Sequence, residues 1–141
     1  MCLETVSEKI PKHIKYGYKT FVENPNGELS PECKDFYKPY KVGEWIEDIN
    51  PYDIWSNSEI YYKSGFHAFT NKKDAKKWIA GSHQNFIGVY KVEIKDPVAY
   101  GKQFVGYKSN NKNYFSNQLD FVRKYGNAIV VRKMKILERI N

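Results

Sequence analysis

The stretch Ser64-Gly65-Phe66-His67-Ala68-Phe69-Thr70-Asn71-Lys72-Lys73-Asp74-Ala75-Lys76-Lys77-Trp78 constrains the fold more than any other. Its opening apolar run, carrying one histidine, reads as a short strand. Strict alternation sends His67 and Phe69 to one face and Phe66 and Ala68 to the other. Thr70 or Asn71 then caps a helix, with Asp74 following Asn71 at the spacing of a capping box. Ala75, Trp78 and Ile79 recur at i, i+3 and i+4 and define a core-facing stripe, while Lys72, Lys73, Lys76 and Lys77 line the opposite side. Gly81 supplies the stop.

The segments around it extend the pattern. Tyr16 to Val22 has strand composition, and Glu23-Asn24-Pro25-Asn26-Gly27-Glu28 has the chemistry of a tight turn, which predicts a hairpin or a strand followed by a tight loop. Phe36, Tyr37, Tyr40, Val42, Trp45 and Ile46 recur through a segment broken by Pro39 and Gly43 and predict short strands or extended chain with an aromatic lining. Glu47 to Ser58 reads as a long surface loop bearing Tyr52, Ile54 and Trp55, large side chains that either fold back on the core or meet a partner. Phe86 to Ile94 alternates clearly, with Phe86, Gly88, Tyr90, Val92 and Ile94 opposite Lys91 and Glu93, and Pro97 ends it. Lys108 to Asn113 reads as an exposed loop. A second helix is expected from Ser116 or Asn117, with Leu119, Phe121 and Val122 inward and Gly126 as its stop. Ala128 to Leu137, rich in Ile and Val, is the final strand. Together these predict an α+β fold: one compact domain over residues 1–141, a mostly antiparallel sheet and two short helices.

Composition limits the function classes. The chain has 141 residues, 41% hydrophobic and 16% aromatic, enough to bury a core without staples and too apolar for disorder. Its formal charge of +7 is carried almost wholly by lysine, the only arginines being Arg123, Arg132 and Arg139. Lysine is a hydrated point charge, so this basicity supports attraction to nucleic acid or an acidic protein without specifying either. Only Cys2 and Cys33 are present, and with no apolar run near the ~18 residues of a membrane span they read as free thiols in a cytoplasmic protein.

The sequence carries no phosphate-binding glycine loop, paired-cysteine metal pattern or nucleophile elbow. His13, His67 and His83 are scattered, without close metal-ligand spacing. After removal of Met1, Cys2 would carry a thiol beside a free amine, as in N-terminal nucleophile hydrolases, but nothing else in the sequence supports that chemistry. His67 is either a hydrogen-bonded structural histidine or a cleft residue touching a ligand.

The Met1-Cys2-Leu3 start, the Tyr-Lys strand after it, the Gly65-Phe66-His67-Ala68-Phe69 step and the closing Ile129 to Leu137 run resemble small uncharacterised proteins of phages and prophages. More distantly, Gly65 to Phe69, the helix with Ala75 and Trp78, and Gly88 to Ile94 resemble the strand, helix and strand of ADP-ribosyltransferases, which implies a reduced fold of that type. The resemblance places the family's catalytic glutamate at Asn127 or its neighbour, neither of them acidic. In the first strand, where the family grips NAD with a histidine or arginine, this chain has Tyr16 to Lys19.

Three functions remain as expectations. The first is a small phage-type binding protein acting on a host protein or ribonucleoprotein, for example blocking a CRISPR nuclease, with no cofactor and no membrane. The second is an ADP-ribosyltransferase-like or nucleotide-processing enzyme using NAD, with His67, Tyr90 and Glu93 as candidates. The third is nucleic-acid binding. Lys72, Lys73, Lys76, Lys77, Tyr52 and Trp55 are the candidate contacts for a partner or nucleic acid.

Overall fold

The computed structural model describes residues 3–31, 39–49, 51–55, 61–80, 87–109 and 121–140. Strand makes up 65% of the described residues. In chain order the elements are β1 (Leu3–Val6), β2 (Tyr16–Glu23), β3 (Leu29–Pro31), β4 (Trp45–Glu47), β5 (Asp53–Trp55), β6 (Tyr61–Lys63), β7 (Phe66–Phe69), α1 (Lys72–Ala80), β8 (Ile87–Ser109) and β9 (Phe121–Arg139).

The long antiparallel pair β8–β9 organises the molecule. It runs in register from Tyr90↔Arg139 to Ser109↔Phe121, with shifts near Lys91, Pro97 and Phe104. The first part of β8 also pairs with β2, from Tyr16↔Glu93 to Val22↔Ile87. The middle of β9 pairs with β7, from Phe66↔Val131 to Phe69↔Ala128. A single pair, Tyr18↔Phe69, joins β2 to β7. The circuit β2–β8–β9–β7 therefore closes on itself in the manner of a small barrel, a geometry that removes exposed edges. Outside that circuit, β1 lies along β8, β4 along β9 and β3 along β2.

The enclosed core consists of Phe21, Leu29, Ala68, Tyr90, Val92, Ile94, Ile129, Val131, Met134 and Ile136. Phe21 meets Tyr90 edge-on at 5.7 Å and Tyr40 at 6.3 Å. A second core lies on the outer face, where Leu3, Tyr62, Phe69, Ala75, Val89, Ala99, Val105, Ala128 and Val130 pack together beneath α1 and the β5–β6 hairpin. Phe66 and Ala68 join the enclosed core and Phe69 the outer one, as alternation predicts. In α1, Ala75 is fully buried and Trp78 and Ile79 are half-buried, and the Asn71 side chain caps it by accepting from the Lys73 N–H at 2.8 Å. The β2–β3 hairpin also forms as expected, around Gly27 at φ 84°.

These pairings correct the expected fold class. The chain is a β-rich domain, not an α+β domain with two short helices. Phe121, Val122 and Gly126, assigned above to a second helix, lie in β9, where pairing with β8 outweighs a helical spacing too short to be decisive. Residues 110–120 lie outside the described residues, as do Cys2, Cys33, His83 and Phe86. Pro97 does not end its strand. Asp96 adopts φ 56° just before it, and β8 bends there, with a register shift, and continues. The stretch read as a loop from Glu47 to Ser58 contains β5, paired with β6 through Ile54↔Tyr62.

Candidate nucleic-acid interface

The histidine that drew attention in the sequence is structural in its surroundings. His67 is buried on the outer face of β7, its Nε2 3.0 Å from the Tyr62 hydroxyl, which in turn accepts the Leu3 N–H at 2.9 Å. Its carbonyl accepts from the ammonium of Lys19, itself buried, at 2.8 Å. These bonds tie β1, β2, β6 and β7 together across long sequence separations. Tyr90 belongs to the enclosed core, and its hydroxyl donates to Glu23 Oε1 at 3.1 Å. Burial, reinforced by that bond, raises the Tyr90 phenol above its ordinary range. Glu93 lies on the outer face of β8 and pairs with Lys135 at 3.3 Å. Of the three candidates of the enzyme reading, Tyr90 and Glu93 share β8 but point to opposite faces, His67 lies on β7, and each is engaged with another partner.

Gly88 explains how the Tyr90 end is assembled. A Cβ there would collide with the Glu23 carboxylate and lie 3.0 Å from Arg139 Nε. The missing side chain leaves room for Arg139 to reach Glu23 at 2.6 Å.

Lys72, Lys73, Lys76 and Lys77 are all exposed on α1, as the sequence predicts. The structure adds what the other side of the helix packs against. Trp78, on the same helix, meets Phe104 of β8 edge-on at 6.5 Å, and Phe104 meets Tyr107 at 4.9 Å. The Arg123 guanidinium lies 4.8 Å from the Phe104 ring and 5.6 Å from that of Tyr125. Tyr107 and Tyr125 are exposed. Through Trp78 the core-facing side of the helix thus meets a ring-and-cation cluster of the β8–β9 ribbon, while its lysines line the other side; carboxylates stand at Asp74, 4.0 Å from Lys77, and Glu4, 3.0 Å from Arg123. Gly126 lets the helix approach β9, since a Cβ there would meet the Asp74 carboxyl at 2.6 Å.

Sequence reasoning missed the ribbon. Phe104 and Tyr107 stand more than 13 residues before Arg123 and Tyr125, and only the β8–β9 register brings them together. The available signal was the density of rings and cations on both sides of the polar stretch.

Tyr52 and Trp55 lie elsewhere, on the β5–β6 hairpin. Trp55 stacks edge-on with Tyr61 at 3.9 Å, and Tyr52 is tied to Ser64 by two hydrogen bonds at 2.7 and 2.8 Å. All three rings are about half exposed or more.

Among the described residues no cluster of histidine, cysteine and carboxylate side chains is placed to hold a metal ion, and no helix is long and apolar enough to cross a membrane. No family model, curated protein or solved structure matches the chain.

Proposed function

We propose that this is a nucleic-acid-binding protein whose helix α1 and β8–β9 ribbon attract the phosphate backbone. The observation that carries this reading is that α1, with Lys72, Lys73, Lys76 and Lys77 exposed, meets through Trp78 a cluster of Phe104, Tyr107, Arg123 and Tyr125. A solvated helix face alone would supply the lysines. It would not supply the exposed rings of Tyr107 and Tyr125 beside Arg123 on the ribbon, and rings interleaved with cations are what a nucleic-acid strand meets with both phosphates and bases. Lysine suits the backbone task because it offers charge without fixed geometry.

The test is the salt dependence of binding to a labelled oligonucleotide. Four lysine–phosphate contacts on a single strand give a log–log slope of about −2.8, or roughly fifty-fold weaker binding between about 50 and 200 mM salt. Replacing Lys72, Lys73, Lys76 and Lys77 by Gln should flatten the slope by up to that amount. A salt response that the quadruple variant leaves unchanged would overturn the reading.

A second reading is favoured by a different surface. Tyr52, Trp55 and Tyr61 expose an aromatic patch on the β5–β6 hairpin, suited to docking on a host protein or ribonucleoprotein, as a phage-type counter-defence protein would. In a pull-down from host lysate, loss of one specific partner on Trp55→Ala with Tyr61→Ala supports it; background proteins alone at high bait loading count against it.

A further inference from the structure

We infer that the outer face between Tyr16 and Trp45, left bare by the described residues, is a separate site that stacks the bases of a short single-stranded oligonucleotide. Register sets Tyr16, Glu93, Lys135 and Trp45 side by side across four adjacent strands, β2, β8, β9 and β4. Two residues along, Lys95, Lys133 and Glu47 form the next row. The rings that end the first row are 44% and 40% exposed, so both can receive a stacked group. Three strand spacings part them, roughly 14 Å, a span that calls for an oligomer.

Each ring is accompanied by ammonium groups. Lys91 lies 4.4 Å from the Tyr16 ring, and Lys95 and Lys135 lie 4.2 and 5.0 Å from that of Trp45. Glu93 pairs with Lys135 at 3.3 Å, and Asp96 pairs with Lys133, in the next row, at 3.6 Å. A cleft of about 330 Å³, lined by Trp45, Ile46, Glu47, Lys95 and Lys133, opens at the β4 end of the row. The left-handed Asp96, next to Lys95, bends β8 beside this cleft.

The pairing of ring and cation selects the occupant. A packed protein interface concentrates apolar groups at its centre and few charges, whereas here every ring has a lysine beside it. A duplex hides its base faces and offers these rings nothing to stack on. An unpaired strand presents base faces to Tyr16 and Trp45 and phosphates to Lys91, Lys95 and Lys133.

The site stands on its own residues and does not require the helix surface to bind. Its test is binding of an octathymidylate, followed by anisotropy and by tryptophan fluorescence, beside a duplex of equal length and thymidine monophosphate. The octamer should quench fluorescence and bind tighter than duplex or monophosphate. Trp45→Leu with Tyr16→Leu should weaken it by at least about thirty-fold, two stacked bases being lost at about 1–3 kcal/mol each. Trp45→Phe with Tyr16→Phe should retain most of the affinity, and Lys95→Gln should lower it without altering the fold. The quadruple Gln variant of α1 should keep the preference for single strand over duplex. Equal binding of octamer and duplex, octamer binding unchanged by the Leu pair, saturation by monophosphate as tight as by octamer, or no octamer binding would each overturn the inference.

Discussion

The outer face of the β8–β9 pair is used in two different ways along its length. In one part, Val89, Ala99, Val105, Ala128 and Val130 are sealed beneath α1, β1 and the β5–β6 hairpin. In the other, Lys91, Glu93, Lys95, Lys133 and Lys135 carry Tyr16 and Trp45 into solvent. The backbone ladder is the same in both. What differs is the covering layer, and the sequence changes with it. Ala128-Ile129-Val130-Val131, apolar on both faces, marks the covered part, while Lys133-Met134-Lys135-Ile136 and Lys91-Val92-Glu93-Ile94-Lys95 alternate and mark the bare part.

The largest expected effect contrasts the two parts directly. Phe69→Ala removes a fully buried ring from the covered part and should cost about 3–5 kcal/mol. Trp45→Ala, on the bare part, should cost about 1 kcal/mol, chiefly its lysine–ring contacts. Similar losses in denaturant melts of the two variants would erase the distinction.

His67→Ala comes next. The histidine links Tyr62 to β7 beneath the covering layer, so its loss should cost about 1–3 kcal/mol and leave octathymidylate affinity unchanged. A variant that folds as stably as the parent but no longer binds would place His67 in a ligand site.

The smallest effect is a pH dependence confined to the enclosed core. Burial raises the phenols of Tyr40 and Tyr90, and Asp48 and Glu23 respectively add to the shift. A folded-state value above the unfolded one contributes stability that is complete below about pH 10 and is lost as pH rises through the folded-state value. Tyr40→Phe with Tyr90→Phe should flatten the alkaline decline in stability.

Local chemistry made part of this fold legible. The Asn71 cap, the α1 stripe, the turn at Gly27 and the two faces of the His67 strand each depend on residues a few positions apart. The failures have a common cause. Whether β8 ends at Pro97, and whether Phe121 and Val122 are helix or strand, is decided by partners a dozen or more residues away. The lysines of α1 were visible as a group, but the cluster of Phe104, Tyr107 and Arg123 that Trp78 meets is assembled only through the ribbon register. Likewise, Tyr16 and Trp45 stand 29 positions apart in sequence, and it takes two intervening strands to align them.

The most direct test of a sealed part and a binding part is a map of backbone amide shifts while octathymidylate is titrated into the labelled protein. The account predicts perturbations at Tyr16, Trp45, Lys91 to Lys95, Lys133 to Lys135 and along α1, with His67, Phe69 and Val130 unmoved. Perturbations centred on His67 and Phe69, with the lysine-bearing strands unmoved, would contradict it.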